Sequence, residues 1–159
     1  MVHVVFVCWG NICRSPMAER VARAWAERDG LDGVAFSSAG TSSEELGEPI
    51  DPRARRVLAR AGYRTDGHRA HQITAPEVRA ASLVVAMEDV HVSRLRRLVP
   101  DAGSIALLTD FDPAAPAGSG IPDPWYGADT GFDDTLAAVE AAMPGLLERV
   151  RTLTGHAGR

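Results

Sequence analysis

Apolar positions along the chain group into two alternating kinds of segment. Short, nearly continuous runs at Val2–Val7, Val34–Phe36, Leu83–Met87 and Ile105–Leu108 read as strands. Between and after them the apolar spacing changes to the helical period. The first helix places Met17, Val21, Ala24, Trp25 and Arg28 on one face, with Ser15 suited to the N-cap and Pro16 to the first helical position. A second runs from about Pro52 to Ala61, with Val57, Leu58 and Ala61 inward and Gly62 as its stop. A third, near Glu88–Val99, carries Val92, Leu95 and Val99 and ends before Pro100. The last begins near Phe132 and aligns Leu136, Val139, Met143, Leu146, Val150 and Leu153 with it. Pro144 falls inside that stripe and predicts a kink or a break.

Strands that alternate with helices indicate an α/β protein with a parallel sheet covered on both faces. With 159 residues and no internal repeat, the chain reads as a single domain over 1–159, with a frayed end at about 154–159. Ligands of such sheets sit beyond the C-terminal ends of the strands, at a topological switch point. One segment breaks the pattern. Thr109–Gly131 is rich in Pro, Gly, Ala and Asp, and too long for a plain connection. It contains Asp123-Pro124-Trp125-Tyr126-Gly127, and an aromatic pair argues for a working loop rather than a disordered one.

Composition narrows the classes. A net charge of −4 argues against a nucleic-acid partner, and no apolar run approaches the roughly 20 residues that span a bilayer. Met1 leads directly into a strand without the parts of a signal peptide, so a soluble cytoplasmic protein is expected. The two cysteines, Cys8 and Cys13, lie five residues apart, and neither a disulfide framework nor a four-ligand zinc site can be built from them. The five histidines form no metal cluster in the sequence. His3, His71, His91 and His156 read as surface or edge residues.

Chemistry concentrates in VVFVCWGNICRSPMAE, residues 4–19. A strand stops at Cys8, a tight loop follows, and a helix starts near Arg14. Loop N–H groups and the helix dipole then converge on one point, which suits an anion. Gly10 and Asn11 are the residues able to take left-handed backbone in such a curl. Arg14 can clamp a phosphate with two parallel bonds. A thiol attacks as the thiolate, which a helix N-terminus and a neighbouring arginine favour, and the Ser15 hydroxyl can donate to it. The loop is neither a Walker loop nor a dinucleotide fingerprint, and its cysteine spacing is not that of a thioredoxin-like site.

The run VCWGNICRSPMAE closely resembles the signature of the low-molecular-weight protein tyrosine phosphatases. Further matches fall in the family's order at Ser38-Ala39-Gly40-Thr41, Asp51-Pro52-Arg53-Ala54, Gly67-His68-Arg69-Ala70, Ala86-Met87-Glu88, Phe111-Asp112-Pro113 and Asp123-Pro124-Trp125-Tyr126-Gly127. The resemblance implies a flavodoxin-like three-layer sandwich with a four-stranded parallel sheet in the order 2-1-3-4. It implies hydrolysis of phosphotyrosine in proteins through a phosphocysteine, without metal or cofactor. On this likeness Cys8 is the nucleophile, Arg14 binds the phosphoryl group, and Asp123 is general acid and then base. Trp9, Gly10, Asn11, Ile12, Cys13 and Ser15 surround the phosphate, and Trp125 and Tyr126 wall the cleft. Asn11, Ser15, Ser38 and His68 support the loop, and Cys13 is the family's redox partner for Cys8.

Asp123 fits the role on its own chemistry. A phenolate leaves poorly because its conjugate acid has a pKa of about 10, so a positioned acid lowers the barrier. Apolar neighbours such as Pro124 and Trp125 favour the protonated form of a carboxyl group. Asp112 also precedes a proline, and Asp51 reads as a helix N-cap before Pro52, so Asp123 is preferred for the aromatic pair behind it. Two departures from the family bear on specificity. Trp9 stands where the family has a small or aliphatic residue, and Glu44-Glu45 where it often has Trp-His. Trp9 either stacks on the substrate ring or packs against neighbouring helices. Glu44 and Glu45 at the rim disfavour acidic flanking sequence. Tyr126 remains a candidate phosphorylation site. Arsenate reductases of this fold need cysteines downstream of Cys13, and there are none; arginine phosphatases typically replace the loop isoleucine, here Ile12, by threonine. A phosphotyrosine-binding module without turnover is the alternative from another class.

Overall fold

A computed structural model of the chain describes residues 1–155. Four parallel strands form one sheet: β1 (Val2–Cys8), β2 (Val34–Gly40), β3 (Leu83–Ala86) and β4 (Ile105–Leu107), in the order β2-β1-β3-β4. Helices α1 (Arg14–Arg28), α2 (Pro52–Arg60), α3 (Ala75–Ala80), α4 (Asp89–Leu98) and α5 (Thr130–Thr154) cover it, with short 3₁₀ turns at Leu108–Phe111 and Pro124–Tyr126. The expected order 2-1-3-4 is the observed one.

Alternate residues of β1 serve different layers, as the two-residue period of a strand dictates. Val4 and Phe6 pack with Met17 and Val21 of α1, Leu58 of α2 and Val139 of α5. Val5 and Val7 face the other way, toward Val78 of α3 and Leu95 of α4. Because both faces are covered, β1 is apolar almost throughout, which is why the sequence betrays it. β2 was harder to read: it continues past Phe36 through Ser37, Ser38, Ala39 and Gly40, pairing Phe6 with Ser38 and Cys8 with Gly40. Ser38 there serves the site rather than the core.

Several expectations need correction. α1 lies against β1, β2 and α5, so its buried face is broader than one stripe. Met17, Ala18, Val21, Ala22 and Ala26 are buried, Ala24 and Trp25 are half-buried, and Arg28 is exposed over the Trp25 ring. In α2 it is Ala54 that turns inward with Val57 and Leu58; Ala61 is an exposed C-cap, followed by Gly62 at φ 88° as expected. The six-residue α3 was missed, although Thr74 and Glu77 form a capping box at its start, a signal readable as T-x-x-E. Pro144 does not break the helix: α5 runs through it for 25 residues. The missing donor is one bond in a helix whose stripe is buried from Phe132 to Val150. Gly145 follows because a Cβ there would stand 2.2 Å from the Phe111 carbonyl oxygen. Leu153 ends the stripe outside the core, 38% exposed. The frayed end expected from 154 does not include Thr154, which is helical; residues 156–159, with His156, lie outside the described residues.

Candidate active site

β1 stops at Cys8, at the centre of the C-terminal edge of the sheet, and residues 9–13 curl back to start α1. The frame holds the loop by its carbonyls. Those of Cys8, Trp9 and Ile12 accept from the backbone N–H groups of Thr41, Ser42 and Asp51. Among the described residues, none of the N–H groups of Gly10 to Cys13 donates to a backbone or side-chain acceptor. A run of unspent N–H groups in one short curl is the geometry of an anion nest.

Asn11 takes the left-handed conformation expected of it, φ 60°, and is the one non-glycine residue with positive φ among those described. Gly10 does not share it; its lack of a side chain matters instead because a Cβ would press on Glu45 at 3.2 Å. The Asn11 amide donates to Ser15 Oγ (2.9 Å) and Ser38 Oγ (3.0 Å), and its Oδ1 accepts from the backbone of His71 (3.1 Å). Ser38 in turn donates to Glu19 (2.8 Å), and His68 Nε2 meets the Asn11 carbonyl at 2.6 Å. Burial, opposed by that carbonyl, pushes the His68 imidazole below its usual pKa, so the ring stays neutral and donates. Gly40 closes the support: a Cβ there would lie 2.7 Å from the Trp9 carbonyl.

Ser15 is not the N-cap. α1 begins two residues earlier, at Arg14 rather than Pro16, with Cys13 as its cap and no side-chain capping bond. The Ser15 hydroxyl is diverted to Cys8 Sγ, 3.0 Å away. Asn11 and Ser15 are wholly buried and line no part of the cavity, so their side chains act from beneath the loop.

That cavity, about 270 Å³, is bounded below by Cys8, Gly10, Ile12, Cys13 and Arg14. Its walls are Trp9, Glu44 and Glu45 on one side and Asp123, Trp125 and Tyr126 on the other. Arg14 is 2% exposed and fixed from behind: Nη1 donates to Glu88 and to the Ile121 carbonyl (2.7 Å), while Nη2 faces Asp123 at 3.6 Å. The Ile121 segment reaches this point because Ile121 N–H bonds Met87 O beyond the end of β3. Asp123 is one-third exposed and caps the Pro124–Tyr126 turn through Trp125 N–H (3.0 Å). It thus lies between an arginine and the cavity rather than in an apolar setting. Asp112 caps only its own turn, and Asp51 is the N-cap of α2, as read. Burial would raise the Asp51 carboxyl, but bonds from the Arg53 side chain and backbone hold it below the usual range.

Trp9 is half-exposed rather than buried among helices. Its Nε1 donates to Glu44 (3.1 Å) and the Arg94 guanidinium lies 4.5 Å from its ring centroid. Cys13 is buried, and that burial, with Asp51 and Cys8 nearby, pushes its thiol well above the ordinary range. Both cysteines are free. His91 is the misread histidine: it is 1% exposed and accepts from Glu88 N–H at Nδ1. Burial, then the charges of Arg14 and Arg94, push it down to about 3. Glu19 and Glu88 were not singled out by sequence. Glu88 carried a signal, since it follows the C-terminal end of β3, level with Cys8. Among the described residues no group of three His, Cys, Asp or Glu stands where it could hold a metal, and no helix is long and apolar enough to cross a membrane.

Residues 3–154 match the family model described as low molecular weight phosphotyrosine protein phosphatase. A low molecular weight protein-tyrosine-phosphatase of Streptomyces coelicolor is 48% identical over 154 residues, covering 94% of this chain and 93% of the relative. Low molecular weight protein-tyrosine phosphatase A of Mycobacterium tuberculosis is 43% identical, covering 91% and 89%. The crystal structure of YfkJ from Bacillus subtilis superposes with a TM-score of 0.88 at 31% identity, covering 96% of each chain.

Proposed function

This chain belongs to the low molecular weight phosphotyrosine protein phosphatase family, and from that premise we propose how its residues hydrolyse phosphotyrosine in proteins. The whole of 1–159 is read as one phosphatase domain, acting in the cytoplasm on a phosphoprotein and needing no metal. The observation that supports the reading is the convergence of Cys8, Arg14 and Asp123 on one cavity whose floor is the nest of unspent N–H groups.

Cys8 Sγ attacks phosphorus in line with the phenolic oxygen. The S–P bond forms as the P–O bond breaks, and Asp123 delivers a proton to the departing oxygen. Arg14 Nη2 and the free loop N–H groups take the charge that gathers on the equatorial oxygens. Glu88 and the Ile121 carbonyl occupy Nη1, so the guanidinium plane is set before substrate arrives. Water then attacks the phosphocysteine, Asp123 accepts its proton, and the thiolate leaves with the Ser15 hydroxyl beside it. Trp125 and Tyr126 form the aromatic wall for the phenyl ring.

The test is turnover of a phosphotyrosine peptide and of p-nitrophenyl phosphate by reduced protein in excess chelator. Activity in the wild type and its loss in Cys8→Ser support the reading. Binding of the peptide without turnover would make the protein a phosphotyrosine reader instead. A phosphoarginine peptide assayed in parallel shows which side chain the cleft prefers.

A further inference from the structure

Behind Trp9, on the side away from the catalytic cavity, lies a second groove of about 380 Å³. Thr41, Gln72, Ile73, Leu95 and Leu98 line it, together with Arg94 and Arg97, and no carboxylate does. Arg94 and Arg97 are three apart on α4, hence on one face of the helix. Among the described residues neither joins an ion pair, although most arginines of this chain do. Thr41 is 6% exposed, and its Oγ1 is buried with no hydrogen-bond partner. The groove is therefore a basic surface with spare donors in a chain of net charge −4.

Its link to the active site is Trp9. One part of the indole lines the catalytic cavity, and Arg94 stacks on the ring. The rim is bipolar around this side chain: Glu44 holds its Nε1, and the two unpaired arginines lie beyond its face.

We propose that the Arg94–Arg97 groove is a substrate subsite that receives acidic residues flanking the phosphotyrosine, on the strand of substrate that crosses Trp9. This rests on the phosphatase reading above and names the sequence class that it prefers. An extended peptide advances about 3.3 Å per residue, so carboxylates two or three positions from the phosphotyrosine reach across one indole. Leu98, 42% exposed, and Ile73 give such a strand an apolar floor between the charges. A flank running the other way, over Glu44 and Glu45, meets like charge if it is acidic. The subsite thus fixes the direction of the acidic flank.

The experiment compares kcat/KM for four phosphotyrosine peptides at low salt: neutral, acidic at −3 and −2, acidic at +2 and +3, and basic at those places. One acidic flank, and only one, should raise kcat/KM by about three- to tenfold, the scale of one or two exposed ion pairs. The gain should fall as ionic strength rises. Arg97→Gln should remove about half of the gain and leave the neutral peptide and p-nitrophenyl phosphate unchanged, and Arg97→Glu should reverse it. Wild-type rates equal for all four peptides would overturn the subsite, as would a gain that survives undiminished in Arg97→Glu. Turnover of the neutral peptide tests the phosphatase reading separately, so the two can fail independently.

Discussion

Arg53 should control how well Asp123 does its work, without touching substrate. Its guanidinium lies 4.9 Å from the Trp125 ring centroid and 4.6 Å from that of Phe132, and Nη1 donates to the Trp125 carbonyl at 3.3 Å. The other edge of the fork grips Asp51, the N-cap of α2. Arg53 therefore ties the turn that carries Asp123 to a rigid helix end. A cation–π contact at a partly exposed site contributes about 0.5–1 kcal/mol and a hydrogen bond about 1 kcal/mol. Replacing Arg53 by Leu removes about 2 kcal/mol of docking, or up to about thirtyfold in the population of the docked turn. The assay is a comparison of leaving groups. Phenyl phosphate needs a proton on its oxygen and should lose kcat by about ten- to thirtyfold. A dinitrophenyl phosphate, whose phenolate departs unaided, should lose less than about threefold. Equal losses for both would mean that Arg53 supports the whole fold; no loss for either would mean that the turn holds itself.

Four further outcomes are expected. His91 is neutral when folded and protonates when unfolded, so the unfolded state binds more protons between pH 6.5 and about 3. Stability should be complete above 6.5 and fall on acidification through that window, by up to about 1.4 kcal/mol per pH unit; His91→Gln should flatten this slope in thermal melts. Trp9→Leu should raise KM for aryl phosphates several-fold, and an unchanged KM would leave Trp9 a packing residue. Peroxide inactivation should be less reversible by thiol in Cys13→Ser than in the wild type, since no second sulfur would then trap oxidised Cys8. Gly40→Ala places a methyl 2.7 Å from a backbone oxygen of the loop, and should cost on the order of 2 kcal/mol in denaturant melts together with most of the activity.

Legibility in the sequence followed the kind of constraint each element obeys. β1 and α5 were plain because burial wrote them as apolar runs and stripes. The second half of β2 is hidden, since Ser38 and Gly40 answer to the loop they hold, which leaves Ala39 alone to mark the core there. Pro144 does not bring the break it suggests, because propensity describes an isolated helix, whereas the α5 stripe is buried from Phe132 to Val150. In the site, Cys8, Arg14 and Asp123 were readable from spacing and from family likeness. Glu88 shows only by its place after β3, and Glu19 and Arg94 not at all, because their partners in the site, Arg14, Ser38 and Trp9, lie far away in sequence and leave no local mark. His91 reads as a surface residue for another reason: its partner is a backbone N–H, which every residue has.

The bonds that Asn11 makes have one more consequence. Its left-handed backbone is held by Ser15, Ser38 and the His71 amide, and behind Ser38 by Glu19. The curve of the loop is thus inherited from β2 and α1, and its conformational cost is met when the chain folds rather than when a ligand arrives. A cradle finished in advance has no means of asking what the phosphate is attached to. It should hold the inorganic phosphate it releases by the same N–H groups that received the ester, and leave discrimination to the walls above.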